Sequence, residues 1–124
     1  MMVQPFLRSI ATEGEYSMML FGGHFSHSIV KQPKSGDYRV QPHLGGTERR
    51  CEPPEGTIEL AKAALSAAPA EAAYARVDMV RDNDGQLAII ELELIEPALW
   101  LQHAPDSGES FARALTKTRA LGAT

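Results

Sequence analysis

Four side chains between residues 76 and 93 have the types and spacing for cation and phosphate chemistry. Asp84-Gly85 is a two-residue turn signal within the stretch Tyr74–Glu93, which predicts a β-hairpin. With that turn, Asp78 lies opposite Glu91 and Arg76 opposite Glu93. Side chains alternate at period two, so Arg76, Asp78, Glu91 and Glu93 share one face, while Val77, Met79, Leu92 and Leu94 share the other. Carboxylates set opposite one another repel, and a cation between them relieves the repulsion. Oxygen-only ligands suit a hard ion such as magnesium more than zinc or copper. The competing reading is the solvated outer face of an amphipathic hairpin. A turn one residue longer would break the pairing.

The rest of the chain supplies elements to position that hairpin. Val3–Leu7 reads as a short strand. Tyr16–Phe21 and His24–Lys31, joined by Gly22-Gly23, read as a second hairpin. Residues 32–56 hold four of the eight prolines, Pro33, Pro42, Pro53 and Pro54, and predict a mobile loop. From Thr57 to Ala68 the apolar positions Ile58, Ala61, Leu65 and Ala68 follow helical spacing until Pro69 ends the run. A second helix is expected from Ser107 or Ser110, with Phe111, Leu115 and Thr118 on one face, before Gly122 and a frayed tail beyond Leu121. These elements predict one α+β domain over residues 1–124. It is an antiparallel sheet of hairpins with two helices on one face and the charged face left open to ligand.

Composition narrows the function classes. At 124 residues, 44% hydrophobic and 23% charged, the chain is long enough for one modest core. A net charge of −4 argues against nucleic-acid binding, and the Arg49-Arg50 pair is too small a patch to reverse it. No apolar run approaches the ~20 residues that cross a membrane. A single cysteine, Cys51, excludes an intramolecular disulfide and fits a reducing compartment, so a cytoplasmic location is expected. Cys51 has no His-Asp arrangement to activate it, and Ser26 and Ser28 lack a nucleophile elbow. His24 and His27, three apart on a strand, fall on opposite faces and read as ordinary strand residues, and His43 and His103 have no local partner. Leu99 and Trp100 read as core, and Lys31 as the partner of an acid.

The order of these pieces is informative. Arg76-Val-Asp78, a hairpin turn, then Glu91-Leu-Glu93 with Pro97 six residues after Glu91 resembles the metal-binding end of ATP-grasp ligases, specifically the prokaryotic glutathione synthetase and ribosomal-protein glutamate ligase branch. Val3-Gln-Pro-Phe-Leu7 is similar to that family's hinge strand, and Glu13-Gly-Glu15 to the acidic turn after it. Ser35-Gly-Asp-Tyr-Arg39 with Gly45-Gly46 is similar to the segment before its last helix. The resemblance covers roughly residues 3–101.

By that resemblance, Asp78, Glu91 and Glu93 would hold magnesium, or manganese, against the phosphates of ATP. Glu15 would accept hydrogen bonds from the ribose hydroxyls. The backbone at Pro5 and Phe6 would meet the adenine edge, with Pro5 offering only its carbonyl. Arg39 and Arg76 would face phosphate or acyl-phosphate oxygens, which a guanidinium fork fits. One position departs from the pattern, because the family usually has Asn where this chain has Glu93. Met1-Met2 stand directly before Val3, so the resemblance implies a C-terminal half that lacks the lysine-bearing N-terminal half and needs it, or a second chain, to complete the clamp. The implied function is an ATP-dependent carboxylate–amine or carboxylate–thiol ligase acting on a small acid through an acyl phosphate. The alternative is a non-catalytic metal- or nucleotide-binding regulatory module. A third reading is a remnant that folds poorly, because its exposed hinge strand at 3–7 has lost neighbours and could pair with another copy.

Overall fold

The computed structural model describes residues 1–37, 39–40, 44–69 and 71–122, with only the backbone of 118–122. Tyr38, Pro42, His43 and the side chain of Thr118 lie outside the described residues, as does the tail past Gly122. Five strands form one antiparallel sheet in the order β3-β2-β1-β4-β5. They are β1 (Glu15–Phe21), β2 (His24–Gln32), β3 (Thr47–Cys51), β4 (Tyr74–Arg81) and β5 (Leu87–Glu93). The helices are α1 (Ser9–Thr12), α2 (Thr57–Ser66) and α3 (Gly108–Gly122). This is the α+β antiparallel class that the hairpins predict.

The two longer helices divide between the faces instead of sharing one. Ala61 of α2, with Ile58 and Leu65 beside it, packs on Tyr16, Met18, Leu20, Ala75, Val77 and Met79. On the other side, Phe111 and Ala114 of α3 pack with Met19, Phe21 and Ile29. The reason lies in β1, where Met18-Met19-Leu20-Phe21 is apolar on both faces and every one of these side chains is buried, so each face needs a cover. Leu115, expected beside Phe111, is instead 40% exposed. Glu15 and Ser17, in contrast, leave the other end of the α3 face polar, and the charged face survives there.

Three further expectations are corrected. Residues 1–7, all among the described residues, run as irregular chain into α1. Pro5 has no amide hydrogen to lend a ladder, and side chains tether the segment instead. The Asn83 amide donates to the Phe6 carbonyl at 3.0 Å, and the Arg8 amide donates to Asn83 Oδ1 at 3.1 Å. Second, the 32–56 loop contains β3, a polar edge strand of sequence Thr-Glu-Arg-Arg-Cys without apolar alternation to reveal it. Third, β2 carries an extra residue where the pairing shifts between Met19 and Leu20, so His24 and His27 face the same side of the sheet as Phe21 and Met19.

The hairpin that carries the site has two compensating irregularities. Its turn holds three residues, Asn83-Asp84-Gly85, with Gly85 at φ +83° and the Asp82 amide bonded to the Gln86 carbonyl at 2.7 Å. Alone, that longer turn would shift every pairing. A bulge at Ile90 restores it, so Met79 faces Ile89 while Asp78 faces Glu91 and Arg76 faces Glu93.

Gly14 links α1 to β1 at φ +94°, and a Cβ there would stand 2.3 Å from the Lys31 carbonyl oxygen. Gly14→Ala is expected to cost roughly 2–3 kcal/mol, from left-handed strain plus the backbone clash, measured by urea denaturation. A loss under about 1 kcal/mol would show that β1 and β2 can separate there freely.

Candidate functional site

The site lies on the α3 face of the sheet, toward the Glu15 end of β1. Asp78 is 1% exposed and accepts a hydrogen bond from the Ser17 hydroxyl at 2.6 Å. Arg76 donates to both its oxygens, Nε to Oδ1 at 3.1 Å and Nη2 to Oδ2 at 2.9 Å. The same Nη2 lies 3.1 Å from Glu93 and 3.6 Å from Glu91. The cation demanded by facing carboxylates is thus supplied within the chain by a buried guanidinium. Among the described residues, no group of three or more His, Cys, Asp and Glu is arranged to hold a metal ion, and Arg76 takes up the space between the three acids.

The carboxylates are not equivalent. Glu91, with its side chain 51% exposed, has its carboxyl pushed above the usual range by partial burial and then by the nearby Glu93 and Asp78. Oxygen-only donors suit a hard divalent cation, which would need Arg76 to give up its place between them. Asp78 is the opposite case, enclosed by Ser17 and Arg76.

A second charged pair extends the face. Lys31 Nζ meets Glu15 at 2.7 Å, and both side chains are nearly buried, as the pairing expected for Lys31 requires. Between this pair and Arg76 lies Trp100, with Lys31 Nζ 4.9 Å and Arg76 Cζ 5.2 Å from its ring centroid. The indole donates to Glu48 of β3 at 2.6 Å. Trp100 also packs with Leu99 against the Met19–Phe21–Ile29 cluster, so its core role and its contact with the cations coexist.

The segment carrying Trp100 is fastened to the sheet. Arg76 Nη1 donates to the Ala98 carbonyl at 3.4 Å. His27 Nε2 contacts the Leu99 carbonyl at 2.8 Å and must donate to it, which leaves Nδ1 to accept from the Ser26 hydroxyl at 2.8 Å. Burial holds this imidazole below its ordinary pKa, consistent with a neutral structural role. Burial likewise pushes the Cys51 thiol up, as expected of a bystander.

On the far side of Glu91 is a cavity of about 390 Å³ lined by Gln4, Pro5, Phe6, Leu7, Ile10, Val80 and Ile90. Pro5 and Phe6 therefore stand where a planar apolar group could enter. Arg39 is chelated by Asp37, Nε to Oδ1 at 3.1 Å and Nη2 to Oδ2 at 2.9 Å. Sequence reasoning missed Ser17, Glu48, Val80, Ile90 and the place of Trp100. The alternation of β1 and β4 would have found Ser17 and Val80; nothing local marks Glu48.

The sheet and its helices are shared with known proteins, among them the ATP-grasp ligase PsnB, which has the same fold at 15% identity and a TM-score of 0.57, over 84% of this chain and 35% of that one. Cycloserine biosynthesis protein DcsG of Streptomyces lavendulae is 34% identical over 124 aligned positions, which span 93% of this chain and 41% of that protein. The crystal structure of D-cycloserine synthetase DcsG matches with a TM-score of 0.78 at 30% identity, over 93% of this chain and 41% of that one. D-alanine–D-alanine ligase from Bacillus anthracis complexed with ATP shares the fold at 21% identity and a TM-score of 0.58, over 82% and 35% of the two chains. The chain spans about two fifths of the length of the curated relative it matches. No family model matches it. Among the described residues, no helix is long and apolar enough to cross a membrane.

Proposed function

We propose that this chain is the nucleotide- and metal-holding half of an ATP-grasp ligase that joins a small carboxylate to an amine or thiol through an acyl phosphate. The observation that carries this reading is the continuity of the cavity with the carboxylates. Ile90 lines the cavity and its neighbour Glu91 belongs to the acidic group. On the paired strand Val80 lines it, two residues from Asp78. An apolar slot that passes into a charged end matches a nucleotide, base first and phosphates beyond.

In this reading the backbone at Pro5 and Phe6 meets the adenine edge, Ile90 and Val80 pack against its plane, and Glu15 accepts from the ribose hydroxyls. Asp78, Glu91 and Glu93 would hold magnesium, with manganese as a substitute, which supplies neutralisation of the phosphate charge. Arg76 then turns from the carboxylates toward phosphate oxygens, and Arg39 approaches them from the loop that follows β2. These residues position and neutralise charge, and none of them needs to act as a nucleophile. Phe6 and Ile90, exposed by 58% and 44% and lining one cavity, offer apolar surface on which the remaining half of the clamp would close.

Calorimetric titration of Mg·ATP, beside ATP with chelator, tests the reading. Ile90→Ala is expected to weaken binding roughly five- to tenfold, because less apolar surface is buried against the base. No binding by the folded chain at millimolar nucleotide would reject an autonomous site. A regulatory, non-catalytic module is favoured by one observation, the carboxylates already neutralised by Arg76. Nucleotide binding that ignores the metal would select it.

A further inference from the structure

We infer that Trp100 is a positioning residue that holds Arg76 and Lys31 on the face of the site, with Glu48 fixing the indole. This rests on the ATP-grasp reading and extends it to residues not yet given a role there. Trp100 is a backbone outlier. It sits at φ +46°, ψ +46°, in the left-handed region that bulky side chains avoid, and four residues earlier Glu96 sits at φ +51°. Strain of this kind persists where the surroundings impose it, and it gathers at functional sites.

The surroundings here are specific. The ring touches the two charged clusters of the face, meeting the Glu15–Lys31 pair through Lys31 and the Asp78–Glu91–Glu93 group through Arg76. Its Nε1–H is fixed by Glu48 on the far edge strand, and His103 Nε2 lies 3.4 Å from the other oxygen of that carboxylate. The flanking carbonyls of Ala98 and Leu99 are bonded to Arg76 and His27. A residue that only filled core would not need both its face and its N–H committed to charged partners.

The consequence is geometric. Arg76 has long rotatable bonds and three acidic neighbours. When a metal takes those neighbours, the indole face and the Ala98 carbonyl beside it keep the guanidinium at the site and limit where it can swing. Lys31 is limited in the same way on the opposite side. Trp100 therefore sets where two cations stand when an anionic group arrives between them.

The test reads Arg76 directly. In ¹H–¹⁵N spectra the Arg76 Nε–H signal is expected to be displaced by the indole ring current and slow to exchange in the unaltered chain. In Trp100→Leu both features should vanish while the backbone amide pattern persists, and Trp100→Phe, which keeps a ring, should restore most of the displacement. An unchanged Arg76 signal in Trp100→Leu overturns the inference. Should that variant fail to fold, Glu48→Leu decides, because it leaves the indole Nε1–H without its acceptor. Trp100 is the one tryptophan of the chain, so its emission should become several-fold more open to acrylamide as the Arg76 signal moves, and no change in either overturns the inference. Mg·ATP affinity should fall roughly tenfold in Trp100→Leu and stay within about threefold in Trp100→Phe. Where the unaltered chain binds Mg·ATP, equal affinity in Trp100→Leu also overturns it. A displaced Arg76 signal in an unaltered chain that binds no Mg·ATP supports the placement of Arg76 by Trp100 while removing the nucleotide reading.

Discussion

Replacing Asp78 by alanine is expected to lower the unfolding free energy by about 3–5 kcal/mol, because it leaves a buried guanidinium without its main partner. Arg76 is only 8% exposed and gives Asp78 its Nε and Nη2 bonds. Glu93 at 3.1 Å remains as a counter-charge, which places the loss toward the lower end. The Ser17 hydroxyl, 2.6 Å from Asp78, loses its acceptor in the same variant and adds to the cost. Asp78→Asn keeps an acceptor and the volume, so it should cost less than the alanine variant while still removing a metal-binding charge. Urea denaturation at neutral pH measures both. A loss below about 1 kcal/mol for Asp78→Ala would mean that Arg76 escapes to water on its own, and the buried ion cluster would not be a structural unit.

That cluster was legible in the sequence for a reason that is only partly right. The pairing of Asp78 with Glu91 and Arg76 with Glu93 follows from a two-residue turn at Asp84-Gly85, yet the turn has three residues and the pairing is recovered by the bulge at Ile90. The doublet Ile89-Ile90 breaks the alternation of β5 and was the available sign of that bulge. Apolar runs and turn signals located β1, β2, β4 and β5, of which the first three are largely buried and β5 half-buries Leu87, Ala88 and Leu92. Edge strand β3 buries little, and its Glu48, Arg49 and Arg50 read as loop. The division of the helices between faces depends on β1 being apolar on both sides, which Met18-Met19-Leu20-Phe21 does record. Trp100 could not be placed from sequence, since its left-handed backbone and its contacts with Lys31, Arg76 and Glu48 join residues up to 69 positions apart.

Glu91→Gln should behave in the opposite way to Asp78→Ala, with stability kept and metal-dependent nucleotide affinity reduced on the order of 100-fold, the upper end of what an altered metal environment costs. The carboxyl of Glu91 is pushed up in the folded chain by partial burial, Glu93 and Asp78. The folded protein therefore binds that proton more tightly than the unfolded chain does, so stability falls as pH rises through the raised value. At neutral pH the ionised Glu91 is a source of repulsion, and glutamine should leave stability unchanged or slightly higher. A metal needs the ionised form, so Mg·ATP affinity should decline as pH falls, beginning at a higher pH than an ordinary carboxylate would give. Glu91→Gln should lose that limb of the profile along with the affinity. Retained magnesium-dependent binding in this variant, measured by calorimetry across the acid range, would remove Glu91 from the metal site. The two acids face each other across one hairpin, and burial separates their work: Asp78 is enclosed and holds Arg76 in the fold, while Glu91, 3.6 Å from the same guanidinium, is half open and is the acid of the three most accessible to a cation from solvent.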